Sequence, residues 1–389
     1  MSVRRFAIVT AGGTGGHVLP ALEVARAVVG RGHAPETIEI VGSSRGKDLV
    51  ALEGEGFATT FLPGRGLTRK GGVGATLKNA RSIVSLAWAS ALQVVRFLKN
   101  RPKVVVTVGG YASFPAGAAA VLLGVPTVVV SVDVVPGLAN RLLGRFASAN
   151  AVAFPGSHLA RAVVTGTPIR KEILSVERSR EASIEALEVL GLPRGRKTVA
   201  VFGGSLGSLR INEAVMDLVD AWSGREELSI YHVVGKRDWE ELSRKLTDDD
   251  EPPRSKIFYR AVPFETRMEL LYAAADLFLC RAGGMTVAEL AAVGCPAVLV
   301  PLPGAPGDHQ TANANVLRAA GGAVVLRDDL CDAEHLARLI DEMFDSPRKL
   351  DSMGKAAKSL GCSDAADRIA ELVERVARGE RREVLVGDS

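Results

Sequence analysis

Short apolar runs alternate with helix-like stretches along the first third of the chain. Four runs have the Val- and Ile-rich composition of buried strands: residues 5–10, 37–41, 104–108 and 126–130. Residues 20–29 and 116–123 lie between such runs and have the residue pattern of helices. This alternation predicts a parallel, doubly wound sheet of the α/β class.

The same pattern starts again near residue 197. Lys197–Phe202 is a predicted strand, Gly203–Ser208 is a glycine-rich loop, and a helix is expected through 211–214. Further strands are expected at 228–234, 277–280, 297–300 and 323–326. The repeat predicts two Rossmann-like domains in tandem.

Turn residues at Gly166–Pro168 coincide with a change in charge, and they set the predicted boundary between the domains. The N-terminal domain is expected to span 1–166 and the C-terminal domain 167–364. A charged amphipathic helix at about 365–381 is expected to pack back across the domains, onto the N-terminal domain.

The longest uncharged run, Val104–Val132, raises the question of a membrane-spanning helix. Glycines and prolines interrupt it, which favours strand, turn, helix and strand, and predicts a soluble protein with at most a surface attachment to membrane. The four cysteines form no CxxC pair, which favours a reducing cytosol. The apolar stretch after Arg5 is too short for a signal peptide.

Charge is divided unequally along the chain. Residues 1–171 carry 20 Lys and Arg against 7 Asp and Glu, whereas residues 172–389 carry 28 against 37. Asp133 is the only acidic residue between Glu55 and Glu172. A basic half of this kind predicts that one domain meets an anionic surface or ligand, although a solvated basic face is the simpler alternative.

A glycine-rich loop follows the first strand of each predicted domain. Gly13-Thr14-Gly15 has half of a dinucleotide fingerprint, but Val18 stands where the third glycine belongs, which disfavours a nicotinamide-dependent oxidoreductase. Helix N-termini after such loops bind anions, so two loops favour ligand sites over simple tight turns. His17 starts the first helix, where the dipole favours the neutral imidazole of a general base; a capping role is an equal alternative.

Two polar stretches follow predicted strands in the second half. In 280–296 a glycine turn leads into a helix that carries Thr286 and Glu289, a pattern suited to a pyrophosphate and to ribose hydroxyls. In 301–313 polar residues lie in a Pro- and Gly-rich loop beyond a buried strand, where sugar hydroxyls can be bound. An ordinary first-turn glutamate and ordinary turn residues are the structural alternatives.

Taken together, these segments resemble the MurG family of peptidoglycan N-acetylglucosaminyltransferases. The resemblance covers essentially the whole chain and rests on segments in matching order and spacing: GGTGGH, VGGYASFPAG, VPGLANRLLGRFA, VTGTPIR, VFGGSLGSLRINEA, CRAGGMTVAELAAVGCPAVLVPLP and GDHQTANA. It implies the GT-B fold, two Rossmann-like domains facing each other across a cleft. It also implies inverting, metal- and cofactor-independent transfer of N-acetylglucosamine from UDP-N-acetylglucosamine to the muramyl 4-hydroxyl of undecaprenyl-pyrophosphoryl-muramyl-pentapeptide (lipid I), which gives lipid II.

The resemblance places the donor in the C-terminal domain. Backbone around Glu265 and the turn Gly284–Thr286 would contact uracil, and Glu289 would bind the ribose. Ser205, together with the helix start at Thr286, would bind the pyrophosphate. Gln310, with His309 and Asn212 as further candidates, would read the sugar. The full set implied for UDP-N-acetylglucosamine is Thr14, Gly15, Gly16, Asp133, Arg170, Ser205, Asn212, Glu265, Gly284, Met285, Thr286, Val287, Ala288, Glu289 and Gln310.

His17 is the favoured catalytic base, and Asp133 is the alternative; Tyr111 or Glu23 are candidates to orient groups. Asp133 marks a departure, because Val130–Asp133 stands where the family usually carries His-Glu-x-Asn. A carboxylate near a pyrophosphate is unfavourable unless it is protonated, paired or acting as a base. The departure therefore bears on the acceptor more than on the fold or the donor.

The N-terminal domain is expected to meet the lipid acceptor and an anionic membrane surface, as a peripheral protein on the cytoplasmic face. Basic residues surround the apolar segment Ile83–Trp88: Arg69, Lys70, Lys78, Arg81, Arg96, Lys99, Arg101 and Lys103. Each is worth roughly 1 kcal/mol near an anionic leaflet. A buried helix is the alternative for this segment, and no nucleic-acid partner is expected.

Three other functions stay open from the sequence. One is a related GT-B transferase that passes a UDP-linked sugar to a different lipid or natural-product acceptor. Another is a UDP-N-acetylglucosamine 2-epimerase, which shares the two-domain fold but has no use for a basic, tryptophan-bearing segment. The last is a nucleotide-sugar binder without turnover.

Overall fold

The computed structural model describes residues 4–10, 12, 15–43, 56–62, 73–247 and 256–380. The chain divides into unit 1, Met1–Arg170 with Cys362–Ser389, and unit 2, Lys171–Gly361. The first division lies four residues beyond the boundary expected at Gly166.

Each unit is built on one parallel sheet. The strands of unit 1 are β1 Ala7–Thr10, β2 Ile38–Ser43, β3 Ala58–Leu62, β4 Val104–Thr107, β5 Thr127–Ser131, β6 Ala149–Val152 and β7 Ala162–Val164. Those of unit 2 are β8 Lys197–Phe202, β9 Leu228–Val233, β10 Phe258–Val262, β11 Leu277–Cys280, β12 Ala297–Leu299 and β13 Ala323–Val325. The orders are β3-β2-β1-β4-β5-β6-β7 and β10-β9-β8-β11-β12-β13, and all pairs are parallel.

Helices lie between most successive strands of the described chain, although β7 follows β6 without one. In chain order they are α1 Gly15–Gly30, α2 Val73–Lys99, α3 Phe114–Leu122, α4 Leu138–Gly144, α5 Lys171–Leu174, α6 Arg180–Leu190, α7 Leu209–Ala221, α8 Trp239–Thr247, α9 Met268–Ala274, α10 Gly284–Val293, α11 His309–Ala320, α12 Ala333–Phe344, α13 Pro347–Lys358 and α14 Ala365–Ala377. The doubly wound α/β prediction is confirmed in both units, and the uncharged run Val104–Val132 is strand, helix and strand as expected.

The start of α1 differs from the sequence expectation. The sequence predicts a helix from about Pro20, because the first position of a helix tolerates proline. The helix instead begins at Gly15, so Pro20 lies in its second turn and removes one backbone donor there. His17 is consequently the third helical residue.

Helices cover both faces of the unit 1 sheet. Successive strand residues point to opposite faces, so neighbouring residues of one strand belong to different cores. Ala7 and Val9 pack in a core with α1 and α14, and Ile369 and Val373 of α14 are fully buried there. Ile8 and Val105 belong to the core of the other face, which α2 and α3 cover. The C-terminal helix is thus part of unit 1, where it packs on α1 and on β4, β5 and β6.

One helix of unit 1 exposes an apolar stripe. Along α2, Phe97, Ala89 and Gln93 face the core, whereas Val84 and Trp88 on the opposite face are 68% and 64% exposed. Other exposed apolar residues on this helix are Ile83, Leu92, Val95 and Leu98. The alternative of a wholly buried helix is therefore wrong for this segment. Within the described part of the chain, no helix has both the length and the apolar character needed to span a membrane.

A carboxylate on α14 anchors this helix to the chain after α1. Glu374 accepts hydrogen bonds from Arg31 Nε at 3.1 Å and lies 3.1 Å from His33 Nε2. Burial alone would raise the pKa of Glu374, but these two partners lower it overall. The His33 ring stacks on Phe6 with centroids 3.6 Å apart, which holds the partner in place.

We expect Glu374→Gln to lower the free energy of unfolding at pH 7 by about 1 kcal/mol, at the low end for a hydrogen bond to a charged group because Arg31 is partly exposed. Since the folded-state pKa of Glu374 is lowered, this stabilisation is present above the ordinary pKa of a glutamate and is lost as pH falls through the folded value. Denaturant unfolding of wild type and variant from pH 7 to pH 3.5 measures the difference.

Glu371→Gln is the matched control, because Glu371 is an exposed glutamate on the same helix. It should leave stability unchanged within about 0.5 kcal/mol. A wild-type advantage over Glu374→Gln that stays constant down to pH 3.5 would contradict the ionic origin of the contact.

Candidate functional site

Several of the predicted site residues lie at the carboxyl ends of the strands at which the strand order of each sheet reverses. In unit 1 the strand order reverses between β1 and β4, and in unit 2 between β8 and β11. Open α/β sheets bind ligands at such points, because the loops on either side separate and leave a crevice. His17 follows β1, while the loop Gly203–Ser208 and the start of α10 follow β8 and β11.

The N-terminus of α10 has the geometry of an anion site. Gly283 is its N-cap, and the first helical hydrogen bond runs from Val287 N to Gly283 O at 3.0 Å. Helix geometry therefore leaves the amides of Gly284, Met285 and Thr286 without an acceptor inside the helix. A Cβ at Gly283 would meet only Thr286 Oγ1, at 3.9 Å, so the approach to these amides is open.

Two buried side chains fix the backbone that leads into α10. Arg281, only 8% exposed, donates to Val300 O at 3.0 Å and pairs with Asp328 Oδ1 at 2.6 Å. Fully buried Asn313 donates to Ala282 O at 3.1 Å. The structural role of Arg281 could not be predicted from the CRAGG motif, because its partners Asp328 and Val300 are distant in sequence.

Glu289, in the second turn of α10, accepts a hydrogen bond from a tyrosine that the sequence did not single out. Tyr272 Oη donates to Glu289 Oε2 at 2.9 Å, and Tyr272 is fully buried. Burial, followed by the charge of Glu289, raises the pKa of Tyr272 well above its ordinary value. The phenol therefore stays protonated and acts as a donor.

Glu265 directs its carboxylate inward. It is 8% exposed and accepts from Tyr231 Oη at 2.6 Å and from Arg267 N at 2.8 Å. Burial would raise the pKa of Glu265, but these hydrogen bonds and the charge of Arg267 lower it overall. The side chain thus shapes the turn after β10, and the backbone is what this turn can offer to a ligand.

The loop after β8 presents Ser205 and is supported from inside. Ser205 is exposed, and Gly207, at φ +90°, lies so close to Val234 O that a Cβ would be 2.2 Å from it. Fully buried Asn212 donates to Val234 O and to Asp238 Oδ2, each at 3.1 Å. This placement does not favour the expected contact of Asn212 with a sugar.

A buried histidine completes the support of Asn212. Asn212 Oδ1 lies 3.0 Å from His232 Nε2, and His232 Nδ1 lies 2.9 Å from Tyr259 Oη. Burial lowers the pKa of His232 to about 3, so the imidazole is neutral. Because both Asn212 amide hydrogens have acceptors, His232 Nε2 is the donor and its Nδ1 accepts from the tyrosine.

The polar residues after β12 are held by the loop itself. Gln310 Oε1 accepts from Leu302 N at 2.9 Å, and His309 Nδ1 lies 3.0 Å from Pro306 O. Asp308 has φ +54° and accepts from Thr311 Oγ1 at 2.7 Å. Gln310 therefore connects the start of this loop, at Leu302, to the first turn of α11.

In unit 1, His17 packs against two glycines after β4. A Cβ on Gly109, at φ +100°, would lie 3.2 Å from His17 Cε1 and 3.5 Å from Asn140 Nδ2, and one on Gly110 would lie 3.2 Å from His17 Cδ2. Asn140 is 5% exposed and donates to Val130 O at 3.0 Å, while its Oδ1 is buried and has no hydrogen-bond partner among the described residues. The glycines thus make room for the imidazole at the switch point.

Asp133 and Arg170 are half-buried. Asp133 lies two residues beyond β5, and its carbonyl accepts from Ser131 Oγ at 3.0 Å. The Nε of Arg170 is buried, and no hydrogen-bond partner for it lies in the part of the chain that the structure describes. Glu23 is 3% exposed and pairs with Arg26 Nη1 at 2.6 Å.

The remaining candidate of unit 1, Tyr111, lies with its Oη 3.0 Å from Ser43 Oγ. Thr14, Arg69 and Lys70 lie outside the described residues, as does the side chain of Lys78. Within 4–10, 12, 15–43, 56–62, 73–247 and 256–380, no three His, Cys, Asp or Glu side chains are grouped as metal ligands.

Comparison with known proteins identifies the family and the fold. The glycosyltransferase family 28 N-terminal domain matches residues 7–152, and the glycosyltransferase family 28 C-terminal domain matches residues 198–369. The crystal structure of Acinetobacter baumannii MurG superposes with a TM-score of 0.73 at 26% identity, covering 96% of this chain and 100% of that one. The fold is therefore GT-B.

Two curated relatives carry the name UDP-N-acetylglucosamine–N-acetylmuramyl-(pentapeptide) pyrophosphoryl-undecaprenol N-acetylglucosamine transferase. The protein from Desulforudis audaxviator is 34% identical, covering 95% of this chain and 98% of its own. The protein from Acidothermus cellulolyticus is 36% identical, with 96% and 98% covered.

We expect Gly109→Ala to cost about 1–2 kcal/mol of stability through its positive φ, and to displace the His17 ring. Gly156→Ala is the matched control, since Gly156 has φ +86° in the same unit and open space around its Cα. Denaturant unfolding and the imidazole NMR signals of His17 measure the two effects. Equal shifts of the His17 signals in both variants would contradict the packing described here.

Proposed function

Because the chain belongs to the MurG family within glycosyltransferase family 28, we propose that it transfers N-acetylglucosamine from UDP-N-acetylglucosamine to the muramyl 4-hydroxyl of undecaprenyl-linked lipid I. It is a UDP-N-acetylglucosamine-dependent glycosyltransferase. The observation that carries the finer proposal is the full-length similarity to proteins named for this reaction, combined with an anion site at the switch point of unit 2.

Unit 2 binds the donor in this proposal. The amides at the start of α10 and the hydroxyl of Ser205 take the diphosphate, because β11 and β8 are neighbours and their following loops lie on the same edge. Glu289 accepts from the ribose hydroxyls. The turn at Glu265 offers its backbone to uracil, in keeping with a carboxylate that is already hydrogen-bonded inside.

The transfer proceeds by displacement at the anomeric carbon. The acceptor 4-hydroxyl oxygen bonds to C1 as the C1–O bond to the diphosphate breaks, so the configuration inverts. Negative charge grows on the departing UDP, and the α10 amides stabilise it without reorganising. The proposed transfer requires no metal.

His17 is the proposed base for the acceptor proton, and Asp133 is the alternative. The packing of His17 against Gly109 and Gly110 supports this assignment, because it fixes the ring at the carboxyl end of the unit 1 sheet. Asp133 replaces the amide that the family usually carries. A different lipid or natural-product acceptor is the outcome that this replacement leaves for experiment.

Unit 1 also carries the proposed membrane surface, which would place the protein on the cytoplasmic face of the membrane. The stripe on α2 with Val84 and Trp88 exposed supports this, since exposed apolar patches mark contacts with other surfaces. The described basic residues beside the stripe supply attraction to anionic lipid, and Arg81, Lys99, Arg101 and Lys103 among them are exposed.

Purified protein is expected to convert labelled UDP-N-acetylglucosamine and a short-chain lipid I analogue into a β-linked disaccharide lipid in the presence of EDTA. Mass spectrometry and NMR of the product measure transfer and configuration. Donor binding without transfer would move the proposal to another acceptor, and loss of transfer on metal removal would contradict the metal-independent step.

The same assay separates the two candidate bases. His17→Ala should lower kcat by about 100-fold or more while UDP affinity changes little, as for loss of a general base. Asp133→Asn restores the amide usual in the family and should retain most of kcat. The reverse ranking would assign the base to Asp133.

Trp88→Ser combined with Val84→Ser should weaken binding to vesicles of anionic lipid by about tenfold or more, given the apolar area that the two side chains can bury. Val189→Ser is the control, because Val189 is an exposed valine, 48% accessible, on α6 of unit 2. Vesicle co-sedimentation measures both. Equal effects of the two changes would exclude α2 as the contact.

A further inference from the structure

We propose that Tyr272 is a positioning residue for donor binding, whose hydroxyl orients the Glu289 carboxylate toward the ribose of the nucleotide. This inference rests on the proposed function, in which Glu289 accepts from the ribose hydroxyls. It adds a residue from α9 that touches no ligand itself and acts through Glu289.

The phenol of Tyr272 is fixed on several sides. Its ring stacks on Phe278, with centroids 5.2 Å apart and an interplanar angle of 27°. Its backbone carbonyl accepts from Arg178 Nη1 at 2.8 Å, and the same arginine holds Ala275 O at 2.9 Å. The hydroxyl, 2.9 Å from Glu289 Oε2, is therefore a donor with a fixed position.

Such a donor restricts a flexible side chain. A glutamate has three rotatable bonds, and ordering them on ligand binding costs conformational entropy. Anchoring one carboxylate oxygen before the nucleotide arrives removes part of this cost. A carboxylate offers about four acceptor positions, and the bond to Tyr272 occupies one of them.

A purely structural role is the competing explanation, and a second tyrosine separates the two. Tyr231 Oη donates to Glu265 Oε2 at 2.6 Å, so it also pairs a buried phenol with a glutamate of unit 2. Glu265 is assigned to uracil through its backbone, whereas Glu289 is assigned to ribose. Loss of the two hydroxyls should therefore affect different parts of the nucleotide.

The experiment is calorimetric titration of the full chain with UDP and with 2′,3′-dideoxy-UDP. Wild type should prefer UDP by about tenfold or more, as expected for hydrogen bonds to a charged acceptor. Tyr272→Phe keeps the ring and removes the donor, so the preference should fall to about threefold or less while dideoxy-UDP affinity changes less than about twofold. Tyr231→Phe should weaken both nucleotides equally and keep the preference.

A double-mutant cycle completes the test. Adding Tyr272→Phe to Glu289→Ala should change the preference no further, because the hydroxyl acts only through the carboxylate. If Tyr272→Phe does not fold, 4-fluorophenylalanine at position 272 replaces it, since this residue fills the site but cannot donate. The same loss of preference is expected.

The outcomes distinguish the inference from the function on which it rests. A wild-type protein that does not bind UDP would overturn the proposed function. A wild type that binds UDP but not its ribose hydroxyls preferentially overturns the role of Glu289, and the inference with it. Undiminished preference in the Tyr272 variant, or equal weakening of both nucleotides, overturns the positioning role alone.

Discussion

Parallel pairing of β1 with β4 and of β8 with β11 is the constraint on which the candidate site residues of each unit depend. Each of these pairs stands where the strand order of its sheet reverses. The loops and helices that follow the two strands therefore lie on opposite faces of the sheet. The imidazole of His17 lies at the resulting crevice of unit 1, and the amides of α10 lie at that of unit 2. A change of register in either pair would separate side chains that lie far apart in sequence.

Behind the residues proposed to bind the UDP-sugar lies a layer of buried polar groups in unit 2. Tyr272 supports Glu289, Tyr231 supports Glu265, and Asn212 with His232 supports the loop of Ser205. Each of these groups is buried and would be costly if unsatisfied, so its partner has little freedom to move. The geometry of the proposed ligand-binding residues is therefore set by hydrogen bonds to these buried groups.

Much of the fold could be predicted from sequence because buried parallel strands are continuous Val- and Ile-rich runs. Strands that depart from this composition escaped prediction: β3 is half-exposed at the edge of its sheet, and β6 is Ala-Asn-Ala-Val. The GG turns and the start of α10 could be predicted because glycine and helix starts have local signatures. Tyr272 and the burial of Asn212 could not, because their partners lie 17 and 20 or more residues away and only the tertiary fold unites them.

The return of α14 to unit 1 has a consequence for synthesis. Unit 2, Lys171–Gly361, is inserted into unit 1, and the helix that covers β4, β5 and β6 leaves the ribosome after all of it. The inserted unit can complete its core while the unit that encloses it in sequence still exposes Val104, Val106 and Val128. Unit 2 can therefore complete its fold on the nascent chain before unit 1, whose core lacks one of its helices until residues 365–377 are synthesised.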